Sequence, residues 1–353
     1  MKATERMISY LLENANPSII LRVREEILGE TIPEEESAHL CEEIHGEKIV
    51  QSIAECQKES GWLGNGYHGS NSNAGRYENQ EVGTKYLAEK GLGKNDPVLR
   101  RAMLAYRDLP FDDPCYRHSV NYFDVFRNAA NGGNLFRCAC IARAGYADEI
   151  DIEPQIQLSL DSFKRVLEVD SILDITRPMK NGTVRVFNDP EKWPCHYHLD
   201  ILAHTDSWRT PENIDMLAES VKKMMKTDRP ELIGLGAASW FGHITSTCGC
   251  FPSQGLDVKR RENGKEVYDI EHFIWLARCG LVPKIQRLAD EAGEIAKVVS
   301  HDGVAEIPIG PSFRAWCPYF GQSLETDWKS RKKRNSDITF RALEVLHYSG
   351  ING

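Results

Sequence analysis

The chain has 353 residues, 41% hydrophobic and 27% charged, the balance of a soluble globular protein with room for one large core or two modest ones. Its net charge of −9 argues against a nucleic-acid partner, and no apolar run reaches the roughly 18 residues that a membrane span needs. Glu5 and Glu13 interrupt the first apolar pattern, which argues against a secretory signal, and ten cysteines without framework spacing read as reduced thiols of a cytoplasmic protein.

Helical periodicity dominates from the start. Residues 5–13 and 17–28 carry apolar side chains three and four apart, with Asn16 as a cap and Pro17 at the first helical position. Residues 46–57 repeat the pattern and run into a glycine-rich stretch that carries Trp62, Tyr67 and His68. A larger rhythm follows. Residues 80–90, 134–144, 195–205 and 269–279 are short segments, apolar on most sides, and several end near glycine. Each is followed by an amphipathic segment: 96–108, 153–167, 211–226 and 283–299. Residues 336–347 close the series.

A helix that is apolar all round must be buried, whereas one with a charged stripe can lie outside it. The pattern therefore predicts inner helices backed by outer ones, either as an open stack or as a closed ring. Closure buries more, because an open stack leaves the ends of its core exposed. The expected fold is all-α: a single α/α toroid over residues 1–353, with residues 1–57 as N-terminal helices packed on the ring. The long loops before the inner helices would gather at one mouth. Residues 183–187 (TVRVF) are expected to form part of a short hairpin.

Gln57, Gly61 and Trp62 (QKESGW) resemble a variant of the Q-x-x-x-G-x-W element that recurs in squalene cyclases. The run LLENANPSIILRVREEILG and the closing DITFRALEVL resemble the first and last helices of short bacterial proteins with prenyltransferase and squalene-oxidase-type repeats. The resemblance implies the α/α toroid of terpenoid cyclases and protein prenyltransferases. The D-x-D-D acid motif and the D-D-x-x-D diphosphate motif of those enzymes are absent. Asp113 and Cys115 match the D-x-C part of the prenyltransferase zinc site, without a histidine in a matching context.

The densest chemical stretch is WPCHYHLDILAHTDSW, residues 193–208. His196, Asp200 and His204 follow one another at four-residue spacing on one helix face, a suitable arrangement for a general acid or base; His198 points elsewhere. Glu271 and His272 open the inner helix at 269–279, with Asp269 as its cap, and Asp327 lies in an aromatic-rich loop. The catalytic candidates are thus His196, His198, Asp200, Glu271, His272 and Asp327. Trp62, Tyr67, His68, Tyr77, Trp240, His243, Trp316 and Tyr319 are the candidates for substrate contact. For Trp62 the competing role is to staple two helix pairs together. No metal or cofactor is expected; whether Cys248 and Cys250, or Asp113 and Cys115, hold a metal is left open. The basic run Lys329–Arg334 reads as a solvated surface.

These residues point to an enzyme of the lyase or isomerase kind that uses a central cavity for acid–base chemistry. Its substrate would be a small apolar or polycyclic molecule, for example a terpenoid-like one, and aromatic walls would stabilise cationic character in it. A carbohydrate-active lyase or hydrolase on the same scaffold, and a non-catalytic helical-repeat binding protein, are the alternatives. Oligomeric state is not legible.

Overall fold

The computed structural model describes residues 2–67, 77–110, 113–117, 133–178, 185–189, 192–226, 258–262, 264–310, 313 and 323–351. These residues are mostly helical. Four helices come first: α1 (Ala3–Asn14), α2 (Pro17–Arg22), α3 (Glu34–His45) and α4 (Lys48–Glu55). A π-helical turn, Val23–Ile27, continues α2. The Asn16 cap forms as expected: its Oδ1 accepts the Ile19 N–H at 3.1 Å, and its Nδ2 donates to the Leu324 carbonyl at 2.9 Å. Helix α3 was not anticipated. Its acidic sequence buries only Leu40 and Ile44, too few apolar positions to show a period.

The helix pairs follow in the expected order. Helix α5 (Gln80–Glu89) precedes α6 (Pro97–Asp108) and the short α7 (Pro114–Arg117). Helix α8 (Gly133–Arg143) precedes α9 (Glu153–Leu167), and α10 (His196–Ala203) precedes α11 (Pro211–Lys226). Helix α12 (Ile270–Arg278) precedes α13 (Gln286–Lys297), and α14 (Arg331–Tyr348) follows. Every residue of α10 is buried, and so is every residue of α12 except Arg278. By contrast α9 and α13 bury one stripe each, Ile156, Leu160, Phe163 and Val166 in α9, and Leu288, Ala292 and Ile295 in α13.

Inner helices pack in succession: α5 on α8, α8 on α10, α10 on α12, and α12 on α14. Two amphipathic helices each touch a pair of these, α6 both α5 and α8, and α9 both α8 and α10. Helix α1 packs along α14. Four of these helices end alike. Gly91, Gly145, Gly280 and Gly350 adopt positive φ, and Leu92, Tyr146, Leu281 and Ile351 donate back to the Leu87, Ile141, Leu276 and Leu346 carbonyls at 3.2, 3.0, 3.0 and 3.0 Å. These bonds satisfy carbonyls left open at a buried helix end.

Among the described residues, two small hairpins accompany the helices. Strand β1 (Thr176–Pro178) pairs antiparallel with β2 (Arg185–Phe187), so the expected hairpin exists with its second strand in TVRVF. Strand β3 (Lys259–Glu262) pairs with β4 (Lys265–Tyr268) just before α12 and was not anticipated. No helix among the described residues is long and apolar enough to cross a membrane.

Backbone geometry also explains the opening glycines. Gly64 has φ 61°, and its N–H donates to the Cys56 carbonyl at 3.1 Å. A Cβ built there would overlap the Glu78 carbonyl. Gly64→Ala is therefore expected to cost about 2–3 kcal/mol in urea unfolding, from the left-handed backbone and the displaced strand-like contact to Asn79. A loss below about 0.5 kcal/mol would show that the loop re-forms around the methyl group.

Candidate functional site

The buried ends of the inner helices carry charge. Helix α5 places Glu81, Lys85 and Glu89 four residues apart on one face, and all three are buried. Across from them, α8 ends in Arg143, α10 presents Asp200, and α12 presents Glu271. Arg143 joins the three helices. Its Nη1 donates to Glu89 Oε1 at 3.0 Å, its Nη2 to Asp200 Oδ1 at 3.0 Å, and the same Nη2 lies 3.3 Å from Glu271 Oε1. The guanidinium plane lies 5.3 Å from the Trp275 ring centroid. Only the planar fork of arginine serves several carboxylates in this way.

Asp200 is 0% exposed. Besides Arg143 it faces Lys85 Nζ at 3.3 Å and His204 Nδ1 at 3.1 Å. Burial alone would raise its pKa, but Arg143, Lys85 and His204 together hold it well below the usual carboxylate range. Asp200 is therefore a fixed anion. Lys85 is its counterpart: burial opposes its charge, yet Asp200 and Glu81 raise its pKa above the ordinary value. Its ammonium lies 4.4 Å from the Tyr197 ring centroid, and the Tyr197 hydroxyl donates to Glu81 Oε1 at 2.6 Å.

Glu271 differs from these groups. It is 7% exposed, and burial pushes its pKa up to about 7, more than Arg143 and His272 pull it down. One oxygen faces Arg143, while Oε2 makes no hydrogen bond among the described residues. With Glu271 protonated, the network balances. Lys85, Arg143, Arg22, Arg278 and Arg341 then face as many carboxylates: Glu81, Glu89, Asp200, Glu26 and Glu344. The part made by Arg22, Arg341 and Glu344 reaches Glu89 from α2 and α14, with Arg341 at 3.0 Å.

His196 begins α10 and is held neutral, first by burial and then by Lys85 and His272. Its ring lies 4.1 Å from that of Tyr197, which in turn lies 4.2 Å from Phe136. His272 has Asp269 Oδ2 at 3.2 Å from its Nδ1 and meets Trp275 edge-on at 5.2 Å. Asp269 precedes α12, but its side chain makes no capping bond and pairs with His272 instead.

The structure thus gathers His196, Asp200, Glu271 and His272 into one buried cluster. His198 is fully buried and accepts the Cys195 N–H at 2.9 Å, closing the first turn of α10. Trp62 and Tyr67 pack in an aromatic group with Tyr106 and Tyr116, Trp62 lying 4.9 Å from Tyr116 and 6.0 Å from Tyr67. Gln57 completes that motif by donating to the Gly61 and Val98 carbonyls at 3.0 and 2.8 Å. The arrangement ties the end of α4 to α6, the stapling role weighed for Trp62. Asp327 is exposed and lines, with Tyr77, a cleft that shares no residue with the cluster. His68, Trp240, His243, Trp316, Tyr319, Cys248 and Cys250 lie outside the described residues.

Sequence reasoning missed Glu81, Lys85, Arg143 and Tyr197. For Glu81 and Lys85 the signal was present as charges at four-residue spacing in the inner-helix segment QEVGTKYLAE; Arg143 and Tyr197 carried none. Asp113 accepts the Cys115 N–H at 2.8 Å, a local turn. Among the described residues no group of three or more His, Cys, Asp and Glu side chains is placed to hold a metal ion. Compared with known proteins, the chain matches no family model, no curated protein and no solved structure.

Proposed function

We propose that the chain is an enzyme of the lyase or isomerase kind in which Glu271 carries the proton. The observation that carries this reading is Glu271 itself: a buried acid with a pKa of about 7, one oxygen held by an arginine and the other left for a reacting group. At neutral pH it both donates and accepts. Arg143 fixes its orientation, and Asp200 holds Arg143 and Lys85 in place without exchanging a proton. His196, kept neutral, is the partner that takes or returns the second proton. His272, oriented by Asp269, stands beside it.

We read the scaffold as a closed α/α toroid. The succession of inner helices from α5 to α14, the two amphipathic helices that each touch a pair of them, and the bond from Arg341 on the last inner helix to Glu89 on the first all support closure. Tyr197, Phe136 and Trp275 give the site aromatic walls, which suits a small apolar or polycyclic, terpenoid-like substrate. The density of charged groups around Glu271 favours a second reading, a carbohydrate-active lyase or hydrolase. The described cysteines are all free thiols, which supports a cytoplasmic setting.

The test is Glu271→Gln, assayed against polycyclic alkenes and uronate-containing oligosaccharides by mass spectrometry. Turnover is expected to fall by about 10²–10⁴-fold and to lose its limb near pH 7, with the thermal midpoint kept or raised. In parallel, difference infrared spectra of the wild type minus the variant should show a protonated carboxyl band that vanishes through pH 7. Unchanged turnover with an unchanged pH profile would remove Glu271 from the chemistry.

A further inference from the structure

A cleft of about 900 Å³ opens between the turn joining α3 to α4, the approach to α5, and the segment 323–329 ahead of α14. Its wall has three aromatic rings, those of Tyr77, Tyr86 and Trp328. Of the four carboxylates that line it, Glu47 is paired with Lys90 and Glu325 with Lys333, which leaves Glu43 and Asp327 without a lysine ammonium partner among the described residues; Lys48 and Lys329 are the ammonium groups of the lining.

One ammonium group already lies behind this wall, against two of its lining residues. Lys90 is fully buried; its Nζ donates to the Glu47 carboxylate and to the Leu324 carbonyl, and lies 5.3 Å from the Tyr86 ring centroid. Carboxylate, carbonyl and aromatic face together are what an ammonium ion requires once water is removed. The open side offers two of these three again, carboxylate and aromatic face: Tyr77 lies 5.1 Å from Tyr86, and the exposed Asp327 and the Trp328 ring both line the cleft. We propose that the cleft binds a small organic ammonium ion, its charge met by Asp327 and Glu43 and its alkyl groups by Tyr77 and Trp328. The inference is independent of the role given to Glu271.

Glu325 links this binding to pH. Burial pushes its pKa up to about 7, opposed by Lys333 at 3.3 Å and by the Asn16 N–H at 2.9 Å. Asp337, Tyr10 and Lys90 are the other titratable groups that act on it or feel it, from α14, α1 and the end of α5. A bound cation favours the ionised carboxylate, so binding releases protons near neutrality and tightens as pH rises.

Isothermal titration of the full chain with choline tests the proposal, with 3,3-dimethyl-1-butanol as its uncharged isostere. Choline is expected to bind saturably and about tenfold more tightly than the isostere, and more tightly at pH 8 than at pH 6. Asp327→Asn, a change at an exposed side chain, is expected to weaken choline about fivefold with the thermal midpoint unchanged. Absence of saturable choline binding, equal binding of the isostere, an unaffected Asp327→Asn variant, or no tightening at pH 8 would each overturn it.

Discussion

Replacing Arg143 with methionine is expected to lower stability by about 3–5 kcal/mol, the usual result of removing one member of a buried ion cluster. The substitution preserves bulk and removes the cation that serves Glu89, Asp200 and Glu271 at once. Asp200 retains Lys85 and His204, but Glu271 loses its charged partner and Glu89 one of three. The loss should be shared rather than additive. Asp200→Asn alone is also destabilising, and in the Arg143→Met background it should cost about 1–3 kcal/mol less. Urea unfolding of the four proteins measures this. If Arg143→Met stays within about 1 kcal/mol of the parent, the guanidinium is not what holds α5, α8, α10 and α12 together.

The second large effect is the stability that the raised carboxyls, Glu271 above all, lose as pH rises toward neutrality. Burial raises Glu271 and Glu325 to about 7 and Asp337 to about 6, against unfolded values near those of free side chains. Between about pH 4.5 and 7 these three carboxyls hold more protons in the folded protein than in the unfolded chain, so their contribution to stability falls as pH rises, while His196, His204 and His347, whose pKa values burial lowers, act in the opposite sense. Glu271 alone accounts for about 2–3 kcal/mol across that window. Below it the sign reverses. Asp200 and Glu89 are held low by arginine and lysine neighbours, and Glu26 is lowered to about 2 despite its burial, chiefly by Arg22. Stability from these three is present above the unfolded carboxylate pKa and lost as pH falls. The difference between the parent and Glu271→Gln isolates the carboxyl, because the histidines are common to both: the parent's thermal midpoint should fall relative to the variant's between pH 5 and 7 and the difference should level off above it. A difference that stays constant from pH 5 to 8 would contradict a raised Glu271.

The helix pairs were legible because burial leaves a local mark. HYHLDILA has no solvent face to write in charges, whereas QRLADEAGEIAK has one, and a glycine closes α5, α8 and α12 where the chain must reverse. The charged cluster was not legible for the opposite reason. Lys85 and Arg143 look like surface residues until a carboxylate far along the chain is brought against them, and Arg143 meets Asp200 across 57 positions. No periodicity carries that pairing. Asp327 shows the same limit from the other side. Its composition matched that of a site loop, but only the fold decides that it lines the cleft with Tyr77 rather than joining His196 and Glu271.

The packing of α1 along α14 has a consequence for biosynthesis. Met7 and Leu11 of α1 are covered completely in the finished protein, yet the helix that lies beside them is translated more than three hundred codons later. Throughout elongation that greasy stripe has no native neighbour on α14, and a chain emerging at ~5–20 residues per second leaves it exposed for tens of seconds. Nascent molecules should accordingly depend on holdase chaperones during synthesis, and ribosome stalling shortly before α14 should yield insoluble product.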